Sequence, residues 1–410
     1  MEEWKTYKLA DICDLIPGFA FKSADFGDYE DRAIKIGDIQ PPYVNYKTTS
    51  GVDVHHYTPS KLAKYIVRKG DFVLAMTGAT IGKIGRYIHD TPAYLNQRVL
   101  LFKPHSSVNS KFVYYSLLSP LFQKYVLNHI DSETAQPNIS GKSVSGFEIN
   151  LPSRKMQDRI ADLMSTIDDK IDLNTRINHN LEEQAQALYK SWFVDLEPFK
   201  DREFVNSELG LIPKGWSIQP FFNIAKLCSG GTPKTDRKEF WNGSIPFFTP
   251  KDIGSSTFCL STEKRITEDG LSNCNSVLYK AFTTFITARG TVGKICMAGT
   301  PMAMNQTNYA ICPISYIDDV VLFLITKQLV NNLKNKANGA VFDAITTRDF
   351  NGEMVLVAPH EIMDAFSAIV HPIYESILLN EMNNASLSSL RGTLLPKIMS
   401  GSLVIHEINS

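Results

Sequence analysis

From residue 154 to 194 the chain reads RKMQDRIADLMSTIDDKIDLNTRINHNLEEQAQALYKSWFV, with no glycine and no proline before Pro198. Apolar residues return every three or four positions, at Ile160, Leu163, Ile167, Ile171, Ile177, Leu181 and Leu188. That spacing predicts one long helix with a coiled-coil seam. Every seventh residue gives Ile160, Ile167, Asn174, Leu181 and Leu188, an apolar series broken once. A buried asparagine there weakens a seam and fixes its register, because one alignment alone satisfies its amide. The pattern returns in 360–400, where the seven-residue series is Phe366, Ile373, Asn380, Leu387 and Leu394. Asn380 occupies the step of Asn174. The two helices are read as partners of each other; the plainer alternative is two amphipathic helices on separate cores.

The rest of the pattern is also duplicated. WKTYKLADICDLIPG (4–18) matches WSIQPFFNIAKLCSG (216–230) at Trp4, Ile12, Leu15 and Gly18 against Trp216, Ile224, Leu227 and Gly230. GDIQ (37–40), TGATIGKI (77–84), YLNQR (94–98) and QPNISGKSVSGFEINLP (136–152) are echoed in order by KDIG (251–254), ARGTVGKI (288–295), AMNQT (303–307) and VFDAITTRDFNGEMVLVAP (341–359). Conserved order marks a tandem repeat of one supersecondary unit. Each half reads as α+β. Strands are expected in 71–78, 99–104, 147–152, 283–290 and 308–314; helices are expected in 110–130, broken near Pro120, and in 318–337. The charged join 195–216, with Pro198, Gly210, Pro213 and Gly215, reads as a linker. The expected domains are 1–152, a first helix over 153–195, a linker over 196–215, a second globule over 216–358, a second helix over 359–401 and a tail over 402–410.

Length and composition add limits. A 410-residue chain that is 43% hydrophobic carries two or more domains with real cores. The strongest apolar run, VVLFLIT (320–326), is too short to span a membrane, and MEEWKTYKLADI does not read as a signal peptide, so a cytoplasmic protein is expected. The six cysteines form no C-x-x-C pair and read as reduced thiols. A net charge of −1 leaves room for local basic patches but suggests that any grip on DNA is shared with a partner.

No catalytic constellation emerges. TGATIGKI ends in Gly-Lys, but three residues separate Gly78 from Gly82 and Ile84 stands where a phosphate loop needs Ser or Thr; a tight strand–turn–strand fits better. QPPY (40–43) resembles an amino-methyltransferase loop except at Gln40, and no glycine-rich S-adenosylmethionine loop accompanies it. Metal ligands are not foreseen. The groups around the duplicated turn suit base edges and phosphates instead. In the first half these are Lys35, Thr77, Thr80, Lys83, Arg86, Asn96, Gln97, Arg98 and Lys142. In the second they are Lys234, Lys251, Arg289, Thr291, Lys294, Asn305, Gln306 and Arg348. Taken singly, each such residue also fits a turn cap or a solvated side chain. Two related modules that differ at these positions would read two different short sequences.

With its duplicated globule-plus-helix layout and the strings SGGTPKTDRKEFWNGSIPFFTPKDI (229–253), TARGTVGKICMAGTPMAMNQT (287–307) and LYKSWFVDLEPFKDREFVNSELGLIPKGW (188–216), the chain resembles the specificity (S) subunits of type I restriction–modification systems over essentially its whole length. The resemblance implies two target recognition domains joined by two helices in an antiparallel coiled coil with approximate twofold symmetry. It implies that each domain reads one half of a bipartite, asymmetric site on double-stranded DNA, and that the helices set the unread gap. It further implies no catalysis by this chain. Two modification subunits would supply adenine methylation from S-adenosylmethionine, and restriction subunits would supply ATP- and Mg-dependent cleavage. The alternative is a coiled-coil scaffold that does not bind DNA.

Overall fold

The computed structural model describes residues 4–130, 137–208, 210–288, 293–314, 316–336 and 346–403. The chain divides into two compact units, Met1–Asp169 with Leu387–Ser410, and Lys170–Ser386. Each unit holds one globule and a stretch of both long helices, Arg154–Phe193 and His360–Met399.

The first globule is built on a six-stranded sheet in the order Cys13–Pro17, Val99–Pro104, Phe72–Ala75, Ile84–Arg86, Tyr43–Val44, Ile39–Gln40. Val99, Leu100, Leu101 and Phe102 are all fully buried, so this strand reads as a continuous apolar run and not as an alternation. A four-stranded sheet, Ser50–Gly51, Arg32–Ile34, Ala93–Leu95, Ile66–Val67, accompanies it, and Ile34, Val44, Val67, Val73, Leu95 and Leu101 share one core. The helices Ser110–Leu118 and Pro120–Asn128 meet at Ser119. The Asn109 and Ser119 side chains accept from Phe112 N and Phe122 N, and Pro120 begins the second helix where its missing N–H costs nothing.

The second globule repeats the plan. Its five-stranded sheet runs Ala225–Ser229, Asn308–Pro313, Thr284–Thr287, Ile295–Ala298, Phe258–Cys259, the same order with one edge strand fewer. A three-stranded sheet, Lys264–Ile266, Trp241–Phe248, Ala303–Met304, takes the place of the four-stranded one. Asp318 caps helix Asp319–Lys336 where Asn109 caps its counterpart. Each globule is closed by the same device. Lys5–Lys8 pairs antiparallel with Glu148–Leu151, and Ser217–Pro220 with Met354–Val357, each just before a long helix. Two matched glycines are explained by close backbone approach. A Cβ on Gly18 would lie 1.9 Å from Asn96 O, and one on Gly230 2.3 Å from Asn305 O.

The segment expected as a plain linker is folded. Glu197–Phe199 forms a 3-10 turn, Phe204–Ser207 pairs with Gly210–Pro213 as a hairpin, and Phe199, Ile212 and Trp216 are buried in the second unit's core. Its many charges hid a few anchoring apolar residues.

Within the second unit the long helices run antiparallel, since Asn174 meets Asn384 and Asn178 meets Asn380. Of the seam residues, Ile160, Ile167, Asn174 and Phe366 are buried, whereas Leu181, Leu188, Ile373, Asn380, Leu387 and Leu394 are half-buried. Leu163 and Ile177 point outward, and their neighbours Met164 and Asn178 are buried instead. The buried stripe is wider than a two-helix seam because the helices also pack on the globules; Val370, Tyr374 and Ile377 lie in the core of the second. One 18-residue stretch of the second long helix is apolar enough to pass for a membrane span by composition; in this fold Val370, Tyr374 and Ile377 of that helix are part of the core.

Candidate nucleic-acid interface

Of the residues singled out in the first globule, Arg86, paired with Phe72, lies at one end of the six-stranded sheet, while Thr77, Thr80, Lys83, Asn96, Gln97 and Arg98 gather at the other. The N–H groups of two successive residues hold two separate loops there: Ala75 N donates to Lys83 O (2.9 Å) and Met76 N to Arg98 O (2.9 Å). Gly78 and Gly82 turn the chain between them with φ of +71° and +81°. A third segment joins through Gly78 N to Pro137 O (3.0 Å) and Ile139 N to Met76 O (2.9 Å), leading into the short helix Gly141–Ser145 that carries Lys142.

The second globule repeats this clamp. Thr287 N donates to Lys294 O (3.0 Å) and Ala288 N to Thr307 O (3.1 Å). Lys294 therefore stands where Lys83 stands, and Thr307 where Arg98 stands. Arg348, on the short helix Thr347–Phe350, takes the place of Lys142.

Burial divides the candidates. Lys83, Gln97, Arg98, Lys142, Lys234, Lys251, Lys294, Gln306 and Arg348 are exposed. Thr77 is 1% exposed and its hydroxyl donates to Pro137 O (3.0 Å), so its polar group serves the clamp. The Thr80 hydroxyl donates back to Thr77 O (3.3 Å). Asn96 is buried under Gly18, and Asn305 accepts from Thr307 N, the Thr307 hydroxyl and Asn308 Nδ2. Asn305 is thus spent on its turn, Asn96 is buried with its side-chain carbonyl unpartnered among the described residues, and in each pair the glutamine faces outward. The Gln306 carbonyl accepts from the Thr232 hydroxyl. Arg86 lies between the rings of Tyr43 and Tyr114, with its guanidinium carbon 5.5 and 5.3 Å from their centroids, and the Lys35 ammonium sits 3.8 Å from the Phe26 ring centroid. Both cations face aromatic rings of their own globule. Arg289 and Thr291 lie outside the described residues.

Sequence reasoning missed the polar contacts that tie each globule to the helices. In the first unit Asp168 accepts from the Tyr115 hydroxyl (2.8 Å) and from Arg391 Nη1 (2.5 Å). In the second, Glu381 accepts from Thr257 N (3.0 Å) and Phe258 N (3.1 Å), while Glu182 accepts from the Thr257 hydroxyl. Burial, opposed by those two N–H bonds, pushes the Glu381 carboxyl up to about 7. All six thiols are free, and burial pushes those of Cys13 and Cys259 up to about 12, well away from reactive thiolates.

Two related α+β globules, each packed on a stretch of the same two long helices, define the class: a duplicated recognition scaffold. A family model described as the type I restriction modification DNA specificity domain matches residues 1–183 and again 213–386, and the chain belongs to that family, as a non-catalytic specificity subunit. It is 28% identical to the MjaIX specificity subunit of Methanocaldococcus jannaschii, over 95% of this chain and 97% of that one. It is 25% identical to the HindI specificity subunit of Haemophilus influenzae, over 98% and 100%. Among solved structures, the type I restriction–modification S subunit of M. genitalium is similar with a TM-score of 0.61 at 15% identity, covering 97% of this chain and 96% of that one, a likeness of fold.

Proposed function

We propose that each globule reads one half of a bipartite, asymmetric site on duplex DNA, and that the helix pair sets the gap between the halves. The reading rests on the repeated clamp. The same two backbone bonds present Lys83 with Arg98 in one globule and Lys294 with Thr307 in the other, so one scaffold offers two different sets of side chains. Arg98 and Gln97 suit guanine and adenine edges, while Lys83, Lys142, Lys234, Lys251, Lys294 and Arg348 suit phosphates. A helix of 40 residues spans about 60 Å, enough to carry two readers at least one DNA turn, about 34 Å, apart.

The outer faces of the long helices are proposed to carry two modification subunits, which methylate adenine with S-adenosylmethionine; restriction subunits with ATP and Mg join that complex in the cytoplasm. Stoichiometry is supported by repetition. The exposed apolar residues Leu163 and Leu173 of the first long helix recur at the same steps as exposed Ile369 and Leu379 of the second, so the two helices repeat the same exposed apolar positions. Near-neutral charge fits a DNA grip shared with those partners.

Replacing Gln97 and Arg98 together by alanine tests the assignment. With the modification subunit present, methylome sequencing is expected to show one half-site degenerate and the other unchanged. A motif unaltered in both halves would remove these residues from base reading.

A further inference from the structure

Four asparagines meet in the middle of the helix pair. Asn174 Nδ2 donates to Asn384 Oδ1 (2.9 Å), and Asn380 Nδ2 donates to Asn178 Oδ1 (2.8 Å). Asn178 Nδ2 then donates to Ile377 O (3.3 Å), and Asn384 Nδ2 to Ile171 O (3.4 Å). Residues 171, 174 and 178 of the first helix stand at the same repeat steps as 377, 380 and 384 of the second. Each bond therefore has a mate in which the helices exchange roles, and the network is symmetric about its own centre. Asn174 and Asn178 are 1% and 7% exposed, and Asn174 Oδ1 finds no partner among the described residues.

Two amide pairs of this kind are a poor source of stability, since desolvating Asn174 and Asn178, with Asn174 Oδ1 left unpartnered, cancels most of what their bonds return. They are a good discriminator among alignments. If the helices slip by one heptad in one direction, Asn174 faces Ile377, Asn178 faces Ile373, Asn380 faces Ile171 and Asn384 faces Ile167. Slipping the other way sets the same four opposite Arg391, Leu387, Ala185 and Leu181. An apolar seam of this length tolerates such slips; a buried amide set against isoleucine does not. A slip of four residues keeps one amide pair and breaks the other.

We propose that Asn174, Asn178, Asn380 and Asn384 are positioning residues that lock the register of the helix pair and thereby fix the length of DNA left unread. The second half of this statement rests on the bipartite reading proposed above. One heptad is about 10 Å of helix, or about three base pairs of duplex at 3.4 Å per step. Errors of register therefore appear as gaps that differ by about that amount.

The pairing is tested without DNA. Asn178→Leu and Asn380→Leu are each expected to lower the melting temperature, because the first leaves the half-buried Asn380 amide, and the second the buried Asn178 amide, without its partner. The two together are expected to restore it to the parent value or above. Two losses that simply add would overturn the network. The register is tested by methylome sequencing with the modification subunit. The parent chain is expected to give one gap, and the variant with all four asparagines replaced by leucine several gaps about three base pairs apart with unchanged half-sites. If that variant is not recovered folded, the Asn174→Leu/Asn384→Leu pair takes the same readout. A single unchanged gap in a folded variant would overturn the lock; a parent chain with no split motif would instead overturn the bipartite reading, leaving the melting cycle to judge the pairing.

Discussion

In the first unit, Asp168 of the first long helix is 4% exposed and lies between the Tyr115 hydroxyl and the Arg391 guanidinium, itself 29% exposed. One repeat later the Asp168 step is Tyr374 and the Arg391 step is Ala185. Aligning the caps Asn109 and Asp318 places Phe323 and Leu324 where Tyr114 and Tyr115 stand. Tyr374, Ala185, Phe323 and Leu324 all belong to one apolar core, with the Tyr374 and Phe323 rings 5.5 Å apart. The same junction of globule helix and long helices is thus filled by an ion pair in one unit and by uncharged aromatic and aliphatic side chains in the other. A duplicated fold needs the volume to be filled there and is indifferent to the chemistry that fills it. The two solutions differ in how they fail. An apolar contact weakens gradually, whereas a buried ion pair deprived of one member leaves the other charge stranded.

The largest difference between the units is expected from Asp168→Ala. It strands Arg391 beside Tyr115 and is expected to cost the first unit about 3–5 kcal/mol, on the order of 10 °C in calorimetry. Converting three of the four junction positions to their counterparts (Tyr115→Leu, Asp168→Tyr, Arg391→Ala) is expected to recover most of that loss. A small effect of the single change, or a triple variant worse than the single, would contradict the equivalence.

A smaller effect separates the units by pH. Glu381 has no acidic counterpart on the first long helix, where Thr175 takes its step. Its carboxyl is raised from 4.5 to about 7 by burial, with Glu182 adding repulsion. Between those values the folded second unit holds a proton that the unfolded chain has released. Its contribution to stability is therefore greatest at the acid end, falls as pH rises through this window, and levels off above about 7. Glu381→Gln is expected to flatten that fall in the second unit's melting temperature and to leave the first unit's pH profile unchanged. An identical slope in both proteins would sink the assignment.

The long helices were legible in the sequence because their signal is local; seven-residue spacing needs no knowledge of what lies opposite. The duplication was legible because matched glycines such as Gly18 and Gly230 answer to one steric demand. The Asp168–Arg391 pair was not, since its members are far apart in sequence and each looks like an ordinary solvated charge on a helix. Asn178 and Asn384 left a trace, each four residues after an asparagine already singled out, but a seven-residue count steps over them. In the candidate interface, residue type suggested the asparagines of both Asn-Gln pairs as readers. Only the structure showed that Asn96 is enclosed and that the Asn305 side chain holds its turn.

The most direct test of two readers on a common ruler is methylome sequencing of a host expressing the modification subunit with a chain carrying one extra heptad in each long helix at matched levels. Both half-sites are expected unchanged, with a gap longer by about three base pairs. Altered half-sites at an unaltered gap would contradict a common ruler.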